Sequence, residues 1–243
     1  TIRNLTILFC DIKGFTPFSE SLSAYDVIFI LNRYFSIMRE VIIRHGGEVN
    51  NYIGDAILAI FGLKESRQQS LRAVSASIEM LKEMDQFKSY LKQAYGQDFD
   101  IRVGVHYGEV ISGSVGIGED RKVTVIGDAV NIASRIESIN KEAGTRLLIS
   151  ETVYDQIKEK VSVKNYLRLK LRGTSSLITL YEVSDVNSSA LELNVTEVER
   201  NIDGKKWFRT LPIEELNLGE KKKFKLKEKE ILLINEGEIY AIE

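Results

Sequence analysis

The stretch Thr6–Thr16, TILFCDIKGFT, runs a short series of strand-favouring apolar residues into a carboxylate and then a glycine-containing turn. This predicts a buried strand with Asp11 at its exit, followed by a turn over Lys13-Gly14-Phe15-Thr16-Pro17. The stretch Glu48–Phe61, EVNNYIGDAILAIF, holds two strand-like runs separated only by Gly54-Asp55, with Asp55 forty-four positions after Asp11. A two-residue connection with glycine first suits a tight hairpin, which puts Asp55 at the tip. Between the two stretches, Ser23-Ala24-Tyr25-Asp26 reads as a capped helix start. Val27, Ile28, Leu31, Tyr34, Phe35, Met38, Val41 and Ile42 then recur at three and four until Gly46-Gly47 stops the pattern. A right-handed crossover would lay the hairpin's first strand beside the opening strand. The two carboxylates would then converge at one edge of a sheet.

Outward from this core the alternation continues. A helix is predicted from about Ser66 to Tyr95 on the stripe Leu71, Val74, Ile78, Leu81 and Met84. Two strands follow, Phe99 to Tyr107 and Glu109 to Val115, joined around Gly108. After a glycine-rich charged loop come a strand at Val123–Ile126 and a helix opened by Gly127-Asp128, carrying Val130, Ala133, Ile136 and Ile139. A strand at Arg146–Ile149, a short helix at Glu151–Glu159 and strands at Leu167–Leu171 and Leu177–Val183 complete one α/β domain over 1–185. Residues 186–200 read as a linker and 201–243 as a small β segment. A unit that short needs a staple or a partner for a stable core.

Composition excludes several classes. The 243 residues are 44% apolar and 28% charged, the mixture of a globular protein with a sizeable core. The net charge of -2 gives no general drive toward nucleic acid or anionic lipid, so any phosphate site must be local. One cysteine and two histidines can form neither an internal disulfide nor a tetrahedral zinc site. No apolar run approaches the ~20 residues that span a bilayer. A cytoplasmic location is the resulting expectation, with no membrane insertion in this piece. Both ends read as cut from a longer parent chain, whose other parts would carry a regulatory domain.

Two converging carboxylates beside a glycine turn and a helix start suit a phosphate site built on a pair of magnesium ions. Carboxylate oxygens match the hard cation, while N–H groups from Ile12 to Phe15 and the Thr16 hydroxyl can hold phosphate oxygens. Four collinear blocks then become recognisable: Asp11-Ile12-Lys13-Gly14-Phe15-Thr16; Gly54-Asp55-Ala56; Arg102-Val103-Gly104-Val105-His106-Tyr107-Gly108; and Gly127-Asp128-Ala129-Val130-Asn131-Ile132-Ala133-Ser134-Arg135. Together, over about 1–185, they resemble the class III nucleotidyl cyclase catalytic domain.

The resemblance implies an α+β sandwich with a ferredoxin-like, palm-type βαββαβ core. It also implies two Mg²⁺ or Mn²⁺ ions held by Asp11, Asp55 and the Ile12 carbonyl. Gly14, Phe15 and Thr16 match the phosphate-binding turn, and Arg102 and Arg172 match positions that bind the terminal phosphates, the second being more often Lys in the family. Asn131 matches the residue that orients the ribose, and Arg135 the guanidinium that meets charge developing on the α-phosphate. The family's site is composite, metal carboxylates from one chain and the Asn–Arg pair from its partner, so a homodimer is implied. At the positions that read the base, adenylyl members usually carry Lys with Asp or Thr, and guanylyl members Glu with Cys. Here those positions are Asn51 and Thr124. Thr124 fits the adenylyl pattern, whereas Asn51 fits neither and can present a donor or an acceptor. The expectation is an adenylate cyclase acting on ATP. A guanylate cyclase acting on GTP and a degenerate nucleotide-binding or dimerising regulator are the alternatives.

Other residues have plainer readings. Arg102 would pair with Asp98 or Asp100 if it has no phosphate role. Cys10 is expected in the core, His45 at a helix C-terminus, and His106 in a structural role. The run Lys221-Lys222-Lys223 suits a solvated strand face. Trp207-Phe208, Leu211, Leu216, Gly219, Ile231–Ile234 and Gly237–Ile242 weakly resemble the first strands of a truncated Rieske-like domain. That segment has no Cys or His ligands and cannot hold a cluster as it stands.

Overall fold

The computed structural model describes residues 1–115, 122–170 and 177–187, together with strand segments between 200 and 242. It divides into one unit over Thr1–Ala190 and another over Leu191–Glu243. In the first, β1 (Ile2–Lys13) is followed by α1 (Phe15–Glu20), α2 (Ala24–Arg44), β2 (Gly47–Ile53), β3 (Ala56–Phe61), α3 (Gln69–Tyr95) and β4 (Asp100–Val115). Next come β5 (Lys122–Ile126), α4 (Asp128–Ala143), β6 (Leu147–Ser150), α5 (Glu151–Ile157), β7 (Val161–Lys170) and β8 (Leu177–Val186). The eight strands form one sheet in the order β2-β3-β1-β4-β6-β8-β7, with β5 paired to the far end of β4. This is the mixed α/β architecture expected. In the second unit, β9 (Arg200–Ile202) pairs with β10 (Lys205–Trp207), and β12 (Lys229–Asn235) pairs with both β11 (Lys221–Leu226) and β13 (Ile239–Ile242). Side chains there, including Lys221–Lys223 and the Rieske-like residues, lie outside the described ones. Among the described residues, no helix is long and apolar enough to cross a membrane.

Alternation along β1 separates two layers. Leu5 and Ile7 join Leu58, Ile60, Val110, Val125, Ala129 and Ala133 in a buried cluster beneath α4, with Phe9 packed against it. On the opposite face, the Thr6 hydroxyl bonds the Ser70 hydroxyl of α3 at 3.0 Å, and the Cys10 thiol meets the Tyr34 hydroxyl of α2 at 3.4 Å. Cys10 is thus a core residue, and burial pushes its thiol up to about 12. Helix α2 begins where Ser23 accepts from the Asp26 amide and donates to the Asp26 carboxylate. It ends at His45, with Gly46 at φ 74° continuing into β2. His45 also pairs with Glu79 of α3 at 2.5 Å, which draws the Glu79 carboxyl below its ordinary range.

Several expectations are corrected. The hairpin's second strand, β3, lies beside β1, and the first strand, β2, takes the edge. The residues explain the exchange: all six of β3 are buried, as a central strand requires, whereas β2 is mostly exposed or half-buried. The two strands predicted around Gly108 are one 16-residue strand, β4. Gly108 makes no turn. A Cβ there would stand 3.0 Å from the Ala129 side chain, so the glycine lets α4 lie close to the strand. Phe15, Thr16 and Pro17, read as the end of a turn, instead open α1, anchored where Phe18 meets Phe99 edge to face at 4.9 Å. Strand β7 starts at Val161 rather than Leu167, because its exposed polar residues mask the pattern while it pairs along β8.

Candidate functional site

Asp11 stands two residues from the end of β1, on the face that continues Leu5, Ile7 and Phe9 toward α4. The antiparallel register Cys10↔Ile57 brings the hairpin tip alongside this end of β1. Gly54 takes the positive φ, 63°, that the turn needs, and Asp55 follows it. The turn sets Asp55 close enough for its charge to act on the Asp11 carboxyl. Burial and the neighbouring Asp55 charge push the Asp11 carboxyl up to about 6, although the Ile12 amide donates to it. Convergence of the two acids, expected from the sequence, is therefore present, reached through β3 rather than β2.

This pair has the donor chemistry of a divalent-cation site. Two acids crowded at neighbouring strand ends repel one another, and a hard cation bound between their oxygens relieves that repulsion. Among the described residues, no three His, Cys, Asp or Glu side chains are grouped so as to hold a metal ion by themselves.

Arg102 faces Asp11 directly across the β1–β4 ladder. Its plain reading is corrected. Asp100 is taken by Lys88 and Arg146, while Arg102 Nε lies 3.2 Å from Glu137 Oε1 of α4. Glu137 was not anticipated. It is 3% exposed, and burial together with the Asp11 charge pushes its carboxyl up to about 7, outweighing the favourable Arg102 charge. The available signal was positional: Ala133, Glu137 and Asn140 fall at helical spacing, and all three are buried. Gly104, also unremarked, explains the close fit. A Cβ there would stand 2.3 Å from the Glu137 amide nitrogen and 2.5 Å from the Ala133 carbonyl oxygen, so α4 rests on bare β4 backbone.

The remaining candidates are placed as follows. Gly14, in the left-handed region at φ 81°, caps α1, and Phe15 and Thr16 open it, directly after β1. Asn131 is exposed and Arg135 half-buried on α4. Among the described residues, no hydrogen bond or ion pair links either to Asp11 or Asp55. Asn51 is exposed on β2, beyond a register irregularity at Asn50, and Thr124 is half-buried on β5 opposite Gly113. Arg172 lies outside the described residues. His106 is 8% exposed with Nδ1 2.9 Å from the Ser150 hydroxyl, and burial lowers it to about 4.

Comparison with known proteins adds a family to this geometry. The family described as adenylate and guanylate cyclase catalytic domain matches residues 1–184. An adenylate cyclase of Anabaena cylindrica is 36% identical over 188 residues, covering 74% of this chain and 37% of that protein. The guanylyl cyclase Cya2 superposes with a TM-score of 0.73 at 31% identity, covering 79% of this chain and 96% of that one. The adenylyl cyclase CyaB from P. aeruginosa superposes at 0.71 and 30% identity, covering 77% and 97%. The chain spans 37%, 28% and 9% of the length of three curated relatives it matches. Nothing in these comparisons supports a Rieske-like reading of the C-terminal segment.

Proposed function

Because the chain belongs to the adenylate and guanylate cyclase catalytic domain family, we propose that it converts ATP to 3′,5′-cyclic AMP and pyrophosphate. The observation that carries this reading is the convergence of Asp11, at the end of β1, with Asp55, at the β2–β3 hairpin tip. Asp11, Asp55 and the Ile12 carbonyl would hold two Mg²⁺ or Mn²⁺ ions, which when bound activate the ribose 3′-hydroxyl and neutralise the triphosphate. Gly14, Phe15 and Thr16 bind phosphate oxygens beside the metal carboxylates. Arg102 and Arg172 bind the terminal phosphates. Asn131 orients the ribose, and Arg135 meets charge developing at the α-phosphate, where a guanidinium fork fits the planar array of oxygens.

Asn131 and Arg135 serve the partner's carboxylates in a homodimer, so each chain contributes to two sites. Rotation between protomers would then control activity by separating groups that must act together. Domains elsewhere in a longer parent chain would impose that rotation.

Thr124 favours adenine, since its hydroxyl can accept from the N6 amine. Asn51 gives a second reading some weight: its carbonyl can accept from guanine N1–H, making cyclic GMP from GTP. The test is incubation of purified chain with ATP or GTP and Mn²⁺, with both cyclic products quantified by chromatography. Cyclic AMP in excess is expected. Cyclic GMP in excess selects the second reading, and neither product overturns cyclase activity in favour of a nucleotide-binding regulator.

A further inference from the structure

A carboxylate as buried as Glu137 is costly to keep, and two further acids nearby add to the cost. Its side chain is 5% exposed and that of Arg102 12% exposed, with Nε and Oε1 3.2 Å apart. Both atoms are buried, and neither makes an aligned hydrogen bond among the described residues. A pair held at this distance without good alignment contributes little stability over apolar residues of the same size. Its placement offers a different reason for its presence. Arg102 lies across the ladder from Asp11, Gly104 two residues on admits the α4 backbone, and Glu137 is the α4 residue that presses there. The contact therefore ties the phosphate-binding strand to the helix carrying Asn131 and Arg135.

We propose that Glu137 is a positioning residue that grips the Nε edge of Arg102 and so presents the terminal guanidinium nitrogens to a polyphosphate held at Asp11 and Asp55. The inference rests on the cyclase reading above and names the residue that sets its terminal-phosphate contact. Glu137 touches no substrate and acts through Arg102. Gripping one edge of the guanidinium leaves the opposite edge for bidentate contact with phosphate oxygens. Removing the grip lets the side chain swing, which weakens a contact made equally in ground and transition states. The loss falls on KM rather than on kcat.

The test is a double-mutant cycle on binding of magnesium pyrophosphate, followed by calorimetry, in wild type, Glu137→Gln, Arg102→Ala and the double variant. In the wild-type background, Glu137→Gln is expected to weaken binding by about tenfold, the scale of a charge-assisted contact. In the Arg102→Ala background it should change binding by less than about twofold, because the group it acts through is gone. Steady-state assays should show KM for ATP raised with kcat nearly unchanged. A loss below about fivefold in the wild-type background, or one that persists without Arg102, overturns the proposal. Should Glu137→Gln not fold, Glu137→Asp, which keeps the charge but withdraws it by one methylene, is read in the same cycle by the same criteria. Wild-type chain that makes no cyclic nucleotide defeats the cyclase reading itself; active wild type with an additive cycle defeats only the role of Glu137.

Discussion

Replacing Gly104 with alanine tests how the site is assembled. The added methyl carbon would stand 2.3 Å from the Glu137 amide nitrogen and 2.5 Å from the Ala133 carbonyl oxygen. Both are main-chain atoms of α4, so no side-chain rotation can relieve the crowding. Restoring ordinary contact requires the helix to retreat by about 1 Å, and crowding of this kind costs about 1–3 kcal/mol. The retreat carries Asn131, Arg135 and Glu137 with it. Misplacement by about 1 Å in a catalytic constellation can cost about 10²-fold in rate. Gly113→Ala is the matched control, since a Cβ there meets nothing within 4 Å. Urea denaturation and initial rates of cyclic nucleotide formation are measured on both variants. Gly104→Ala should lose stability in that range and most of its turnover, while Gly113→Ala keeps both. A Gly104→Ala protein as stable and active as wild type would refute the close seating of α4.

Two other perturbations have definite signs. His106 is lowered by burial from 6.5 to about 4, so the unfolded chain takes up a proton that the folded chain refuses. Its contribution is complete above about pH 6.5 and disappears as pH falls toward 4, worth about 3 kcal/mol across that window. The difference in unfolding free energy between wild type and His106→Asn should follow this slope, and a pH-independent difference would contradict it. Asp11 is raised, so its burdened carboxylate destabilises the metal-free fold increasingly as pH rises from 3.8 through about 6. Asp11→Asn should therefore raise metal-free stability at pH 8 by about 1 kcal/mol after screening by solvent, while abolishing turnover. Thermal denaturation in chelator checks the first half and the cyclase assay the second.

The parts of the fold that could be read in advance were those with local causes. Asp11 and Asp55 stood out because a strand exit and a Gly-first hairpin leave few other places for them. Helix α2 carried its cap, its stripe and its stop within one stretch. What escaped depended on contacts between distant segments. Gly108 looks like a join between two strands and Gly104 like an ordinary strand residue, and only the helix lying on them shows that they are clearances. The exchange of β2 and β3 follows from burial on both faces of β3, a property of the assembled sheet. Arg102 had acids two and four residues before it in sequence, yet its partner is Glu137, 35 positions away, because α4 folds back across β4. Glu137 differs from an ordinary surface acid only in its inner-face spacing with Ala133 and Asn140.

The central claim is that each active site takes its metal carboxylates from one chain and its Asn–Arg pair from another. Mixing Asp55→Ala and Arg135→Ala chains, each inactive alone, measures this most directly. Random exchange at equal amounts makes half the dimers hybrid with one intact site of two, which predicts recovery of about a quarter of wild-type activity. Confirmed formation of mixed dimers with no activity above that of the separate variants would contradict the shared site.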